Sequence, residues 1–159
     1  MARPLNIDNR GLGGDASLGS ESAEGCAARH RVLLVEDHAG LAEATAALMR
    51  LHGLELSIAV SGGEALKLAE EYHPALVLCD LALPDMTGLE VVRALRARRA
   101  ANDWLAVILS AMSAIDLREM EGHPQSRDIM LFLPKPLTSP MLIDLIARLD
   151  ALRPSVGSA

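Results

Sequence analysis

Aromatic side chains are scarce in this sequence of 159 residues, which has one tryptophan, one tyrosine and one phenylalanine. Half of the residues are nevertheless hydrophobic, so leucine, valine, isoleucine and alanine must form the core. A chain of this length is most simply one domain. Its hydrophobic content is enough for a single substantial core.

Cysteine is scarce as well. Cys26 lies in a polar segment and Cys79 in an apolar run, without the spacing of a metal site. We therefore expect no disulfide and a reducing compartment. No apolar stretch approaches the roughly 18 residues that a membrane span needs, and no apolar signal-peptide core follows the first residues. These absences predict a cytoplasmic protein without a membrane partner.

Net positive charge is also lacking. The formal charge of −6 at pH 7 argues against non-specific binding to nucleic acid. One local exception is a cluster of four arginines, Arg93, Arg96, Arg98 and Arg99. We favour a solvated helix end, where cations complement the helix dipole; the alternative is a binding patch.

Short apolar runs alternate with helical patterns from Arg31 onward. Strands are predicted at about 31–35, 54–60, 75–79, 105–109 and 129–133. Helices are predicted at about 39–52, from the N-cap Ser61 to just before Pro74, at about 87–99 and at about 139–152. Five strands alternating with helices predict an α/β domain with a parallel sheet and right-handed crossovers.

The domain is expected to span residues 30–153. Residues 1–29 have almost nothing to bury and are predicted to be a disordered tail, and 154–159 are predicted to be a short second tail. The segment 111–128 is the least regular part of the domain. It predicts a weak helix followed by a long loop.

Polar residues directly follow four of the predicted strands. They are Glu36 and Asp37, then Asp80, then Ser110, and finally Lys135. Because the carboxyl ends of parallel strands meet at one sheet edge, we expect these side chains to gather there. Each pair of carboxylates 4 Å apart repels by about 4 kcal/mol at an effective dielectric near 20. Either one acid is protonated or a divalent cation lies among them, and an all-oxygen site favours Mg²⁺.

A carboxylate beside Mg²⁺, a lysine and a hydroxyl suits phosphoryl transfer. Asp80 could attack phosphorus as a nucleophile. The metal and Lys135 would neutralise the equatorial oxygens, and Ser110 could donate a hydrogen bond to one of them.

Four segments in this order give the chain a family resemblance from Arg31 to about Leu152. They are Val-Leu-Leu-Val-Glu36-Asp37, then Leu-Val-Leu-Cys-Asp80-Leu-Ala-Leu-Pro84-Asp-Met-Thr-Gly88-Leu-Glu, then Ile-Leu-Ser110-Ala111, and Phe132-Leu-Pro-Lys135-Pro136. The second segment is the most specific, with proline four residues and glycine eight residues after the acid. The chain resembles the receiver domain of two-component response regulators.

The resemblance implies a fold and a metal site. The fold would be flavodoxin-like, a doubly wound five-stranded parallel sheet of strand order 2-1-3-4-5 with helices on both faces. Asp80 would be the phosphoacceptor. Asp37 would bind Mg²⁺ directly, Glu36 mostly through water, and the backbone carbonyl of Ala82 would be a further ligand.

The resemblance also assigns roles after transfer. Ser110 and Lys135 would engage the phosphoryl group, and Phe132 would change rotamer as Ser110 moves. The Lys135–Pro136 peptide bond would be cis, which proline permits at modest cost.

The implied function is that of a response regulator receiver without an attached output domain, and not of an enzyme beyond its own phosphorylation and dephosphorylation. The phosphoryl group would come from a histidine kinase or a histidine phosphotransfer protein. The signal would pass to a downstream target protein, or to a second copy through the weak helix predicted within 111–128, the fifth strand and the last helix.

Three alternative functions depend on particular residues of the chain. A receiver-like module that acts without phosphorylation is motivated by the unusual 111–128 segment, because Ser126-Arg127-Asp128 replaces the expected Gly-Ala before the fifth strand. An aspartyl-nucleophile phosphatase needs a second acid two residues after Asp80, where this chain has Ala82. A flavin-binding flavodoxin needs a phosphate loop where the first strand here leads into acids.

Overall fold

The computed structural model describes residues 30–99, 103–111 and 131–152. The strands are β1 (Arg31–Val35), β2 (Glu55–Ala59), β3 (Leu76–Asp80), β4 (Leu105–Ser110) and β5 (Leu131–Pro134). The helices are α1 (Ala39–Leu51), α2 (Gly62–Tyr72), α3 (Gly88–Arg98) and α4 (Ser139–Leu152). All nine lie within two residues of the predicted bounds. The predicted tails, and all but the first residue of the segment 111–128 with its predicted weak helix and loop, lie outside the described residues.

The five strands form one parallel sheet in the order β2-β1-β3-β4-β5. This order confirms the flavodoxin-like fold. The register aligns the carboxyl ends of neighbouring strands, since Val35 pairs with both Ala59 and Cys79, and Asp80 pairs with Leu109. Residues that follow these strands therefore start from one edge of the sheet.

Alternate residues of each central strand belong to two separate cores, as the two-residue period of a strand requires. Leu33 and Val35 pack with buried residues of α2 and α3. Val32 and Leu34 pack with buried residues of α1 and α4. Helices thus cover both faces of the sheet, which explains why the strands are continuous apolar runs.

Side-chain caps fix where α2 and α3 begin. Ser61 Oγ accepts a hydrogen bond from Glu64 N at 3.2 Å, as predicted for α2. The Glu64 carboxylate, however, accepts from the backbone of Val60 at 3.0 Å and not from Ser61 itself. A complete capping box lies at α3, where Thr87 and Glu90 bond each other's backbone N–H at 3.2 and 2.8 Å. Such caps satisfy the unpaired N–H groups of a first turn.

Two helices end on residues with positive φ. Gly53 follows α1 with φ 78°, which confirms its predicted role as a stop. His73 ends α2 with φ 49°, directly before Pro74. None of the described helices is long and apolar enough to cross a bilayer.

The arginine cluster makes contacts within the chain. The Arg96 guanidinium lies 4.0 Å from the centre of the Trp104 ring. Arg98 pairs with Glu70 at 2.7 Å, and Arg99 donates to the carbonyl of Pro74 at 2.6 Å. The arginines therefore lie at a helix end, as favoured, but Arg96 and Arg99 pack on their own domain and are only partly solvated.

Cys79 is a free, buried cysteine. Burial raises the pKa of its thiol, and the charges of Asp80 and Glu36 add to this shift. The thiol is therefore inert packing. Cys26 lies outside the described residues.

Candidate functional site

The polar residues predicted to gather at the sheet edge do so. Glu36 and Asp37 directly follow β1, Asp80 is the last residue of β3, Ser110 is the last residue of β4, and Lys135 directly follows β5. All five side chains start from the carboxyl ends of parallel strands, the usual place for a ligand in this class of sheet.

Three acids lie close enough to share a cation. One carboxylate oxygen each from Glu36, Asp37 and Asp80 lies within 4.8 Å of the others. Glu36 and Asp80 are buried, whereas Asp37 is exposed. The donors are all oxygens and one of them opens to solvent, which suits Mg²⁺, an ion that keeps several waters. The residues present therefore fit this ion.

Lys135 balances part of the acidic charge. Its Nζ lies 2.8 Å from Glu36 Oε2 and 3.0 Å from Asp80 Oδ2. Burial alone would lower the pKa of this ammonium, but its hydrogen bonds to Glu36 and Asp80 and their charges outweigh burial, and the net pKa is raised. Lys135 is therefore a fixed cation in contact with the proposed nucleophile.

The backbone holds Lys135 in place. Its N–H donates to the carbonyl of Ser110 at 2.8 Å, which extends the β4–β5 ladder by one bond. The Lys135–Pro136 peptide bond is cis, as the resemblance implies. A backbone hydrogen bond thus connects Lys135 to Ser110, so a movement of one backbone segment displaces the other.

Hydrogen bonds hold both the backbone and the side-chain carboxylate of Glu36. Its N–H donates to the carbonyl of Ala59 at 3.0 Å, and its Oε1 accepts from the N–H of His38 at 3.2 Å. Since Oε2 binds Lys135, both carboxylate oxygens have a protein partner. His38 in turn caps α1, because its Nδ1 accepts from Leu41 N at 3.2 Å.

The loop after Asp80 turns back towards the Asp80 carboxylate. Asp80 Oδ1 accepts from Ala82 N at 3.2 Å, and Ala82 pairs with Thr87 in an antiparallel bridge. Gly88 N donates to Leu81 O at 2.9 Å. A Cβ on Gly88 would lie 2.4 Å from the carbonyl oxygen of Asp80. This close approach gives the physical reason for glycine eight residues after the acid.

An open cleft of about 520 Å³ lies beside Asp80. It is lined by Asp80, Leu81, Ala82, Ser110, Ala111 and Lys135. Ser110 is buried, and it shares the cleft with the lysine and the acid, as predicted. The cleft therefore gives the Asp80 carboxylate an opening towards solvent.

Phe132 lies on the α2–α3 side of the sheet, beside Ile108 in the neighbouring strand. Only 6% of its surface is exposed. The ring is part of the core in this conformation, and its role as a switch stays a prediction.

Asp85 is a residue to which no sequence pattern assigned a role. Its carboxylate accepts hydrogen bonds from Gly62 N and Gly63 N, each at 2.9 Å. These bonds, Gly63 first, hold the pKa of Asp85 below its ordinary value. The partners lie 23 and 22 residues earlier in the chain, so no local pattern could have revealed the contact.

A doubly wound parallel sheet with an acid trio, a lysine and a hydroxyl at its carboxyl edge is the arrangement that the sequence resemblance implies for a receiver domain. The chain belongs to the response regulator receiver domain family, whose model matches residues 32–147.

Curated relatives include transcriptional regulators. The transcriptional regulatory protein PrrA of Mycobacterium bovis is 37% identical over 128 residues, which cover 80% of this chain and 52% of that protein. The DNA-binding response regulator MtrA of Mycobacterium leprae is 38% identical over 96 residues, which cover 55% of this chain and 43% of MtrA. The chain thus spans about half the length of the curated relatives it matches.

Solved structures agree with this assignment. A CheY-like response regulator receiver domain from Methylobacillus flagellatus is 26% identical with a TM-score of 0.67, covering 76% of this chain and 98% of that one. The response regulator TrrA from Thermotoga maritima, in complex with Mg²⁺ and BeF, is 25% identical with a TM-score of 0.65. The match covers 76% of this chain and 98% of that one.

Proposed function

We propose that Asp80 accepts a phosphoryl group from a histidine kinase or a histidine phosphotransfer protein, and that the phosphorylated chain signals by binding another protein. The observation that supports this most is the contact of Asp80 Oδ2 with Lys135 Nζ at 3.0 Å, beside two further acids and an open cleft. Lys135 neutralises the acid that must approach an anionic phosphorus centre.

Mg²⁺ is the proposed cofactor. Asp37, Asp80 and the backbone carbonyl of Ala82 would hold it, with Glu36 acting mostly through water. When bound, the ion supplies positive charge to the phosphoryl oxygens. The engagement of both Glu36 oxygens by Lys135 and His38 fits a more distant role for Glu36 than for Asp37.

The reaction needs little from the protein beyond placement and charge. A carboxylate oxygen of Asp80 attacks phosphorus in line with the bond to the donor's imidazole nitrogen. The O–P bond forms, the N–P bond breaks, and the electron pair returns to the imidazole. Lys135 contacts the phosphoryl oxygens, and the hydroxyl of Ser110 donates a hydrogen bond to one of them. The chain acts only on itself in this scheme.

Phosphorylation adds negative charge at a buried edge. Lys135 and Ser110 respond together because the N–H of Lys135 binds the carbonyl of Ser110. Movement of Ser110 would give Phe132 room to change rotamer, and the surface of β5 and α4 would change for a target protein or a second copy. The domain bounds 30–153 and the cytoplasmic location stay predictions.

The test is intact mass after incubation of the whole chain with Mg²⁺ and acetyl phosphate, alongside Asp80→Ala. We expect one added phosphoryl group in the wild type, none in Asp80→Ala and none in EDTA. No gain in the wild type, together with failure to bind beryllofluoride, would instead support a receiver-like module that acts without phosphorylation.

A further inference from the structure

The loop that follows Asp80 is tied to a helix far away in sequence. Asp85 Oδ1 accepts from Gly62 N and Oδ2 from Gly63 N, each at 2.9 Å. These are the first two residues of α2. Their N–H groups have no partner within the helix and form the positive end of its dipole. The carboxylate thus makes one contact with each of its oxygens.

Met86 strengthens the same contact. A Cβ added to Gly62 would lie 2.4 Å from Met86 Cγ and 2.6 Å from its Sδ. Only glycine lets the loop approach α2 this closely without moving the methionine. The tip of the loop is therefore held by two hydrogen bonds and by packing.

Both sides of this contact lead to the acid site. On the loop side, Asp80 Oδ1 binds Ala82 N at 3.2 Å. On the helix side, β2 precedes α2, and its last residue, Ala59, accepts a hydrogen bond from Glu36 N at 3.0 Å. The contact of Asp85 with α2 closes a ring of interactions between two of the acids.

We propose that Asp85 is a positioning residue of the phosphoryl-acceptor site. By binding the start of α2, Asp85 fixes the position of the loop from Asp80 to Gly88. The backbone carbonyl of Ala82 is thereby placed to bind a divalent cation. Asp85 acts through the loop and touches no reacting atom. The inference rests on the proposed function.

Asp85→Ala should raise the Mg²⁺ concentration for half-maximal phosphorylation by acetyl phosphate about tenfold, the size of effect expected when an outer partner of a metal site is removed. The rate at saturating Mg²⁺ should stay close to that of the wild type, because the nucleophile, the lysine and the hydroxyl are intact. Asp85→Asn keeps one acceptor oxygen and should lie between the two.

Ser61→Ala is the matched control. Ser61 caps the same helix through Glu64 N at 3.2 Å, and its cap does not involve the loop. If Asp85 merely stabilised α2, both alanine variants would change the Mg²⁺ dependence equally. We expect Ser61→Ala to leave the Mg²⁺ dependence unchanged. Urea unfolding of each variant checks that it is folded.

Mg²⁺ titration followed by the NMR shift of the Ala82 amide tests the inference without phosphorylation. Weaker Mg²⁺ binding in Asp85→Ala but not in Ser61→Ala would support it, even if the wild type were never phosphorylated and the proposed function failed. Equal Mg²⁺ binding in wild type and Asp85→Ala would overturn it, and so would equal losses in the two alanine variants.

Discussion

Replacement of Lys135 by methionine should test the charge balance of the acid site most directly. Methionine keeps an unbranched side chain of similar length but has no charge. The variant would leave Glu36, whose side chain is only 4% exposed, next to Asp80 with no lysine between them. We expect a clear loss of unfolding free energy in the absence of divalent cations.

The contact distances set the size of this loss. Opposite charges 3 Å apart attract by about 5 kcal/mol at an effective dielectric near 20, but desolvation offsets most of that. Removing one partner of a buried ion pair costs about 3–5 kcal/mol. Because 16% of the Lys135 side chain stays exposed, we expect the lower end, about 3 kcal/mol.

Urea unfolding in EDTA, followed by fluorescence of the single tryptophan, measures the effect. Lys67→Met is the control, since Lys67 is the other lysine of the sequence and is exposed on α2. It should change stability by no more than about 0.5 kcal/mol. Saturating Mg²⁺ should recover part of the loss in Lys135→Met, because a ligand that binds the folded state stabilises it. A loss below about 1 kcal/mol in EDTA would refute the reasoning.

Three further predictions follow from neighbouring contacts. Burial lowers the pKa of Lys135, but the contacts with Glu36 and Asp80 outweigh burial and raise the pKa above its ordinary value of 10.5. The charge of Lys135 therefore stabilises the fold fully below pH 10.5. This stabilisation is lost as the pH rises through the higher pKa of the folded state. In urea unfolding, the difference in unfolding free energy between the wild type and Lys135→Met should become smaller above that pH. Gly88→Ala should cost about 1–3 kcal/mol in the same assay, because its Cβ would meet the Asp80 carbonyl oxygen at 2.4 Å; an unchanged midpoint would contradict this. Thr87→Ala removes the α3 cap and should cost about 1 kcal/mol, and hydrogen exchange should be faster in the first turn of α3 but not of α1.

Local patterns in the sequence were enough to predict the elements. Strand bounds follow from short apolar runs and helix bounds from periodicity and caps, all of which involve residues a few positions apart. Ser61 at the start of α2 and Gly53 at the end of α1 are examples. The acids could be assigned to one edge because all strands are parallel, which needs no side-chain detail.

Contacts between distant segments could not be predicted in this way. The bonds of Asp85 to the start of α2 depend on how the β3–α3 loop lies against a helix that ended more than ten residues earlier. Likewise, the sequence placed Lys135 near the acids, but only the structure shows that it binds both Glu36 and Asp80.

By itself, the sequence determined the order of strands and helices along the chain, the identity of the edge residues and the repulsion among three carboxylates, which either a proton or a divalent cation must relieve. The tertiary structure decided which carboxylate oxygen meets which partner, and which residue outside the acid trio holds the loop of Asp80. The physical reason is the distance along the sequence between the groups that interact. Propensity, capping and periodicity act within a few residues, whereas hydrogen bonds across the sheet edge require the backbone of the whole domain to be in place.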